Sequence, residues 1–296
     1  MRHEAVIMPA GRDPLEMMDR NRTLLAQAQG YIYKQKNEAD LEAYVFAPED
    51  HEPGDMRPAI LFFHSSAWDS GLVSQFAPHC LHFAQRGMVA ITFEYRLASR
   101  HGGGPIEAMA DGRSAVRWVR THATELGIHA DKIIGAGGSA GSHIMLTAAL
   151  LRGHFDDEDD DTSWNCAPNA LVLFDPVVDV HSRTAFGADK FPHRRIARIA
   201  SPIRHVGPDL PPMILFQGAQ DRLLPVETTR KFVRKMRRWP LKNVCEFVPF
   251  DGCGHSFFNF NVDPRFFEAT LNLADQFLVS QGFLAPESHG ESQNRL

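Results

Sequence analysis

Cysteine is scarce: four in 296 residues, at Cys80, Cys166, Cys245 and Cys253, and none of them pairs at CxxC spacing. That excludes a zinc ribbon and a dense disulfide framework, and the four read as reduced, packed thiols. An excess of charge of one sign is also lacking. A formal net charge of -5 gives no field that would gather nucleic acid or anionic lipid without specificity. No apolar run reaches the roughly 20 residues that a membrane span needs, and the start, Met1 to Ile7, lacks the apolar core of a signal peptide. No repeat of solenoid or propeller period is visible. With 44% hydrophobic and 23% charged residues, the composition is that of an ordinary globular protein, and the default address is the cytoplasm.

What is present is alternation. Short apolar runs recur at Pro58–His64, Met88–Tyr95, Lys132–Ala136, Asn169–Asp175, Pro212–Gln217 and Cys245–Phe250, as strands buried on both faces of a parallel sheet require. Helical patterns lie between them: Gln75–Arg86, Ile106–Leu126 and Ala140–Arg152, closed by Gly87, Gly127 and Gly153, and Glu227–Arg238, stopped by Pro240. Asp263 and Pro264 read as an N-cap and first helical residue of a last helix that stops near Gly282. This order predicts one α/β domain, a mostly parallel central sheet with helices on both faces. It has an N-terminal extension over about 1–40 and a frayed tail over 286–296. The segment 181–200 breaks the rhythm and reads as a lid or substrate-pocket excursion over the carboxyl edge of the sheet, where ligands bind in such folds. Its Arg183, Lys190, Arg194, Arg195 and Arg198 hint at a polar or anionic part of a substrate.

Chemistry concentrates at three points. Gly137-Gly138-Ser139-Ala140-Gly141 follows one strand and opens a helix. In such an elbow a serine is held in a strained conformation, exposed at the helix N-terminus, with small neighbours letting the chain reverse. A serine hydroxyl is a poor nucleophile unless a base stands within hydrogen-bond reach and a carboxylate orients that base. His255, in Gly252-Cys253-Gly254-His255, is the base favoured by loop position. Asp221, after Gly218-Ala219-Gln220, is the first choice of carboxylate, with Asp251 and Asp175 as rivals. A developing oxyanion needs N–H donors, which Ala140 and the loop Ser65-Ser66-Ala67-Trp68 offer.

Blander readings cover the rest. The acidic run Asp156–Asp161 lacks the turn glycine of a calcium loop and reads as a solvated loop. His143 reads as packed, and His79 with His82 lacks a third metal ligand. The basic helix from Arg230 to Arg238 reads as a solvated face.

The combination of Gly-Gly-Ser-Ala-Gly, Gly-Ala-Gln-Asp, Gly-Cys-Gly-His and a strand ending in His64 ahead of Trp68 resembles the α/β-hydrolase esterases, specifically the hormone-sensitive-lipase-like and acetyl-esterase branch. The likeness runs from about Tyr44 to Leu284. It implies a triad of Ser139, Asp221 and His255, with oxyanion donors at Ser66, Ala67 and Ala140 and substrate contacts at His64, Ser65 and Trp68. Where the family usually carries His-Gly-Gly-Gly, this chain has His64-Ser65-Ser66-Ala67, and the two serines are expected to narrow the acyl pocket or hold the loop. The resulting expectation is a serine carboxylic-ester hydrolase for short acyl groups, acetyl above all, needing no metal or cofactor. It takes a small-molecule ester, binds no nucleic acid, does not span a membrane and admits self-association into a homo-oligomer. An amidase, formamidase or peptidase of the same fold is the alternative, and a non-catalytic ligand-binding relative is a further one.

Overall fold

The computed structural model describes residues 23–286 except 38, 184, 240 and 241. The frayed tail and most of the N-terminal extension expected from the sequence therefore lie outside the described residues. Eight strands form one sheet: β1 Gln29–Lys36, β2 Ala39–Phe46, β3 Arg57–Phe63, β4 Val89–Phe93, β5 Ile128–Gly138, β6 Ala170–Phe174, β7 Met213–Gly218 and β8 Cys245–Phe250. Their spatial order is β1-β2-β4-β3-β5-β6-β7-β8. From β4 to β8 every pairing is parallel, while β1–β2 and β2–β4 are antiparallel. The helices longer than one turn are α1 Ala77–Gln85, α2 Pro105–Thr121, α3 Ala140–Leu150, α4 Arg194–Ile199, α5 Val226–Met236 and α6 Pro264–Ser280.

The apolar runs are continuous because alternate residues feed two separate cores. Leu61, Phe63, Ile91, Ile133, Leu173 and Leu215 pack on one face with α2, α3 and α5. Ile60, Phe62, Ala90, Ile134, Val172 and Ile214 pack on the other face with α1 and α6. A strand buried on both sides has no polar face left to alternate.

Two corrections concern charge. No strand was read before Pro58, yet β1 and β2 form an antiparallel ribbon on the edge of the sheet. Its pattern is obscured because Lys34, in β1, points inward as a buried cation that pairs with Asp111 and Asp157, both at 2.7 Å. The acidic run is likewise not a solvated loop. Asp157 is buried and also takes Lys36 at 2.6 Å and Arg96 at 3.2 Å, while Asp156 and Asp160 both bind Arg117 at 2.5 Å. Burial works against ionisation of Asp157, but the hydrogen bonds from Lys34 and Lys36 prevail and hold its carboxyl far below the usual range. The segment thus clamps the ribbon onto α2.

Candidate active site

The carboxyl ends of β5 to β8 lie side by side and each delivers one polar residue. Backbone bonds carry the ladder past the strands: Ser139 N donates to Phe174 O at 2.9 Å, Asp175 N to Phe216 O at 2.8 Å and Ala219 N to Phe250 O at 2.9 Å. Residues after neighbouring strands are thereby held at one rim, which is why Ser139, Asp175, Asp221 and His255 cluster despite their distance in sequence.

Ser139 adopts φ 49° and ψ -113°, a conformation that costs a residue with a side chain of order 1–3 kcal/mol. The elbow is possible because its flanks are glycines. A Cβ on Gly141 would sit 1.9 Å from Phe63 O, and one on Gly137 would sit 2.6 Å from the Gly141 backbone. Contrary to expectation the serine does not stand exposed; it retains 3% of its accessible surface. Ser65 and Phe258, which press on Gly138 from two loops, close the rim beside it. Its hydroxyl makes no hydrogen bond to another described residue.

His255 hangs on the turn after β8 and is partly exposed. Its Nδ1 lies 2.7 Å from Asp221 Oδ2, and the other oxygen of Asp221 accepts N–H bonds from Leu223 at 2.8 Å and Leu224 at 2.9 Å. Asp251, one rival, is exposed and makes no bond to the ring. Asp175, the other, is fully buried, with Oδ2 3.7 Å from the same Nδ1. Burial alone would lower the imidazole's affinity for a proton, but the Asp221 bond and the charges of Asp175 and Asp221 outweigh it and raise the pKa of His255. Burial pushes the carboxyl of Asp175 up to about 7, against the pull of His255 and two backbone N–H groups. The ligating atoms of Asp175, Asp221 and His255 lie within 4.8 Å of one another. N–H donors already occupy three of the four carboxylate oxygens and the ring takes the fourth, an arrangement suited to holding an imidazole rather than a cation.

The loop after β3 is braced through its side chains. Ser66 Oγ bonds the Tyr95 hydroxyl and accepts the Trp68 N–H at 2.8 Å; the Tyr95 hydroxyl in turn donates to His64 O at 2.7 Å. Ala67 and Trp68 both take left-handed φ angles, 52° and 57°. The backbone N–H groups of Ser66, Ala67 and Ala140 meet no acceptor among the described residues, whereas that of Ser65 is spent on Gln75 Oε1 at 2.6 Å. Gln75 Nε2 also bonds Asn259 Oδ1 at 2.8 Å, and Asn259 Nδ2 bonds Ser256 O at 2.8 Å, so one amide pair ties this loop to the histidine loop. Nothing in the local sequence marks Gln75 or Asn259; the contact spans 184 residues.

His64 is buried, stacked on Tyr95 with ring centroids 4.3 Å apart, and burial lowers its pKa to about 4. Trp68 is also buried, packed on His143 at 5.1 Å, Phe186 at 5.7 Å and Phe191 at 6.3 Å. Phe186 and Phe191, from the segment that breaks the strand–helix rhythm, therefore cover Trp68, and His143 Nε2 bonds Ala200 O at 2.8 Å. Burial lowers the His143 pKa to about 4. His79 sits among Phe62, Phe76, Phe174 and Phe267, and among the described residues it belongs to no cluster of three metal-ligating groups.

A serine on a strand-to-helix elbow, a carboxylate-bound histidine after the last strand and a parallel sheet that carries both at its carboxyl edge define the α/β-hydrolase class. The sequence model of the BD-FAE family matches residues 45–236, and the chain belongs to that family. Solved structures of Thermogutta terrifontis esterase 2 superpose with a TM-score of 0.83 at 40% identity for the form phosphorylated by paraoxon, covering 89% of this chain and 97% of that one. The propionate-bound form gives 0.84 at 38% identity over 89% and 98%. From Mycobacterium tuberculosis, the probable carboxylic ester hydrolase LipM is 29% identical over 61% of this chain and 45% of its own, and the esterase LipC 27% identical over 69% and 54%. The chain thus spans about half the length of these curated relatives. Among the described residues no helix is long and apolar enough to cross a membrane, and all four cysteines are free and buried.

Proposed function

We propose that this chain is a serine carboxylic-ester hydrolase for short acyl groups, working through an acyl-enzyme. His255 Nε2 takes the proton of Ser139 as the hydroxyl attacks the ester carbonyl, while Asp221 holds the ring at Nδ1. The N–H groups of Ser66, Ala67 and Ala140 receive the oxyanion. His255 then protonates the departing alcohol, and it activates the water that releases the acid. The Ser139 hydroxyl makes no hydrogen bond to His255 in the free protein, and the reading requires one to form when substrate binds, as catalytic hydrogen bonds often do. The observation that carries this reading is the His255–Asp221 bond of 2.7 Å, at the same edge of the sheet as a serine forced to φ 49°. What supports the preference for short chains is that the similar Thermogutta esterase has been solved with propionate and with butyrate bound.

The test is a chain-length series of p-nitrophenyl esters. Acetate, propionate and butyrate should turn over fastest, and Ser139→Ala should lose about 10⁶-fold in kcat by analogy with other triads. Faster hydrolysis of long-chain esters would overturn the acyl preference. Wild-type-like rates in Ser139→Ala would remove the nucleophile.

A further inference from the structure

Asp175 is more than a near neighbour of the proposed base. It directly follows β6 in a left-handed conformation, φ 42°, that a residue with a side chain adopts only under constraint. Its side chain is fully buried with both oxygens engaged: Oδ1 accepts Gly218 N–H at 3.1 Å and Oδ2 accepts Ser256 N–H at 2.6 Å. Gly218 ends the strand that leads to Asp221, and Ser256 directly follows His255. One carboxylate therefore pins the two segments that carry the proposed acid and base. Ser256 is itself held at φ 67°, so the bond fixes a strained backbone that the loop would otherwise relax. The same Oδ2 stands 3.7 Å from His255 Nδ1, where the imidazolium gains its charge.

We infer that Asp175 is a second positioning carboxylate beneath His255, which orients the histidine loop through Ser256 and shares with Asp221 the stabilisation of the imidazolium. This rests on the reading of His255 as the base. Asp175 accepts bonds and offers a field; the proton of Ser139 travels to His255 Nε2, and no proton is transferred to either carboxylate. The chain would then carry two acids, after β6 and β7, serving one ring nitrogen. Loss of one leaves the other within about an ångström of bonding distance.

The kinetics of Asp221→Ala, Asp175→Asn and the double variant on a short ester test this. Where a single carboxylate orients the histidine, its replacement by alanine costs about 10⁴ in kcat. Here Asp221→Ala is expected to lose only about 10², with KM within threefold, and adding Asp175→Asn should remove roughly another 10². Histidine titration followed by NMR supplies a readout that packing alone would not move. Asp175 and Asp221 are the titratable groups facing the ring, so the His255 pKa should fall in Asp175→Asn and again in the double variant. A loss near 10⁴ in Asp221→Ala, with no further loss on adding Asp175→Asn, overturns the proposal. Should Asp221→Ala fail to fold, Asp175→Asn alone decides. A tenfold or larger fall in kcat with a lowered His255 pKa supports it, and wild-type values of both refute it. Wild-type protein that hydrolyses esters through Ser139 separates this failure from failure of the hydrolase reading, whereas wild-type protein inert to esters sinks both.

Discussion

Ser66 occupies a position where the hormone-sensitive-lipase-like esterases usually carry glycine, and its side chain explains how this loop does without one. Its hydroxyl accepts the buried Trp68 N–H at 2.8 Å and bonds Tyr95, which fastens the loop to His64 O. Ser66→Gly leaves the Trp68 N–H without an acceptor, at about 1–3 kcal/mol. The added backbone freedom of glycine costs about 0.5–1 kcal/mol more. The left-handed angles of Ala67 and Trp68 then lose the contact that enforces them, and the N–H groups of Ser66 and Ala67 drift from the position proposed for the oxyanion. One misplaced donor is worth about 10²–10³ in kcat. Ser66→Gly should therefore melt several degrees below wild type and lose at least about a hundredfold in kcat, with KM little changed because ground-state binding does not use these donors. Ser65→Gly is the internal control. The Ser65 hydroxyl takes a single bond, from Gln75 at 3.2 Å, and the backbone N–H bond to Gln75 survives the change, so kcat should stay within about threefold. Thermal melts and p-nitrophenyl acetate kinetics on both variants suffice. A Ser66→Gly enzyme with wild-type kcat and melting temperature would refute the idea that the hydroxyl holds the loop.

Two further outcomes concern stability. Burial pushes the His79 imidazole down to about 3, and neither ring nitrogen has a partner. The unfolded chain therefore binds this proton below about pH 6.5 while the native state does not, and stability drains as pH falls from 6.5 towards 3. The stability of His79→Phe relative to wild type should rise by about 2 kcal/mol between pH 7.5 and pH 5 in denaturant melts, at about 1.4 kcal/mol per pH unit; no change with pH would contradict it. Asp157→Ala leaves the buried Lys34 and Arg96 to share Asp111, so it should cost about 3 kcal/mol, the low end for a broken buried pair, and expose the acidic segment to proteolysis. The Asp157 carboxyl is held far below its unfolded value, so its contribution is present at neutral pH and is lost as pH falls through the acidic range. An Asp157→Ala loss below 1 kcal/mol would mean the segment is solvated after all.

The parallel strands were legible because burial on both faces leaves uninterrupted apolar runs bounded by turn residues, Pro58 to His64 being a clear instance. The β1–β2 ribbon was not, since an edge strand whose inward face includes Lys34 has no apolar periodicity to read. The acidic segment was misread for a related reason: its cations come from β1, the loop after β4 and α2, and local sequence carries no trace of partners some 40 to 120 residues away. The meeting of Asp221 with His255 could be read from chain order and turn chemistry. What could not be read is that Asp175, a rival to Asp221, reaches the same ring alongside it, that Ser139 lies buried, or that Gln75 and Asn259 link two loops, because each depends on how separate segments meet in the fold.

β8 is the last strand of the sheet, paired on one side only, and several of its side chains are half-exposed. The imidazole thus hangs from the margin of the structure while the serine sits near its middle. Peripheral strands open at lower free energy than central ones. Mild heat or denaturant would detach the base while the interior is still intact, so catalysis would fade ahead of the cooperative melt, and activity would report the integrity of that margin rather than of the whole protein.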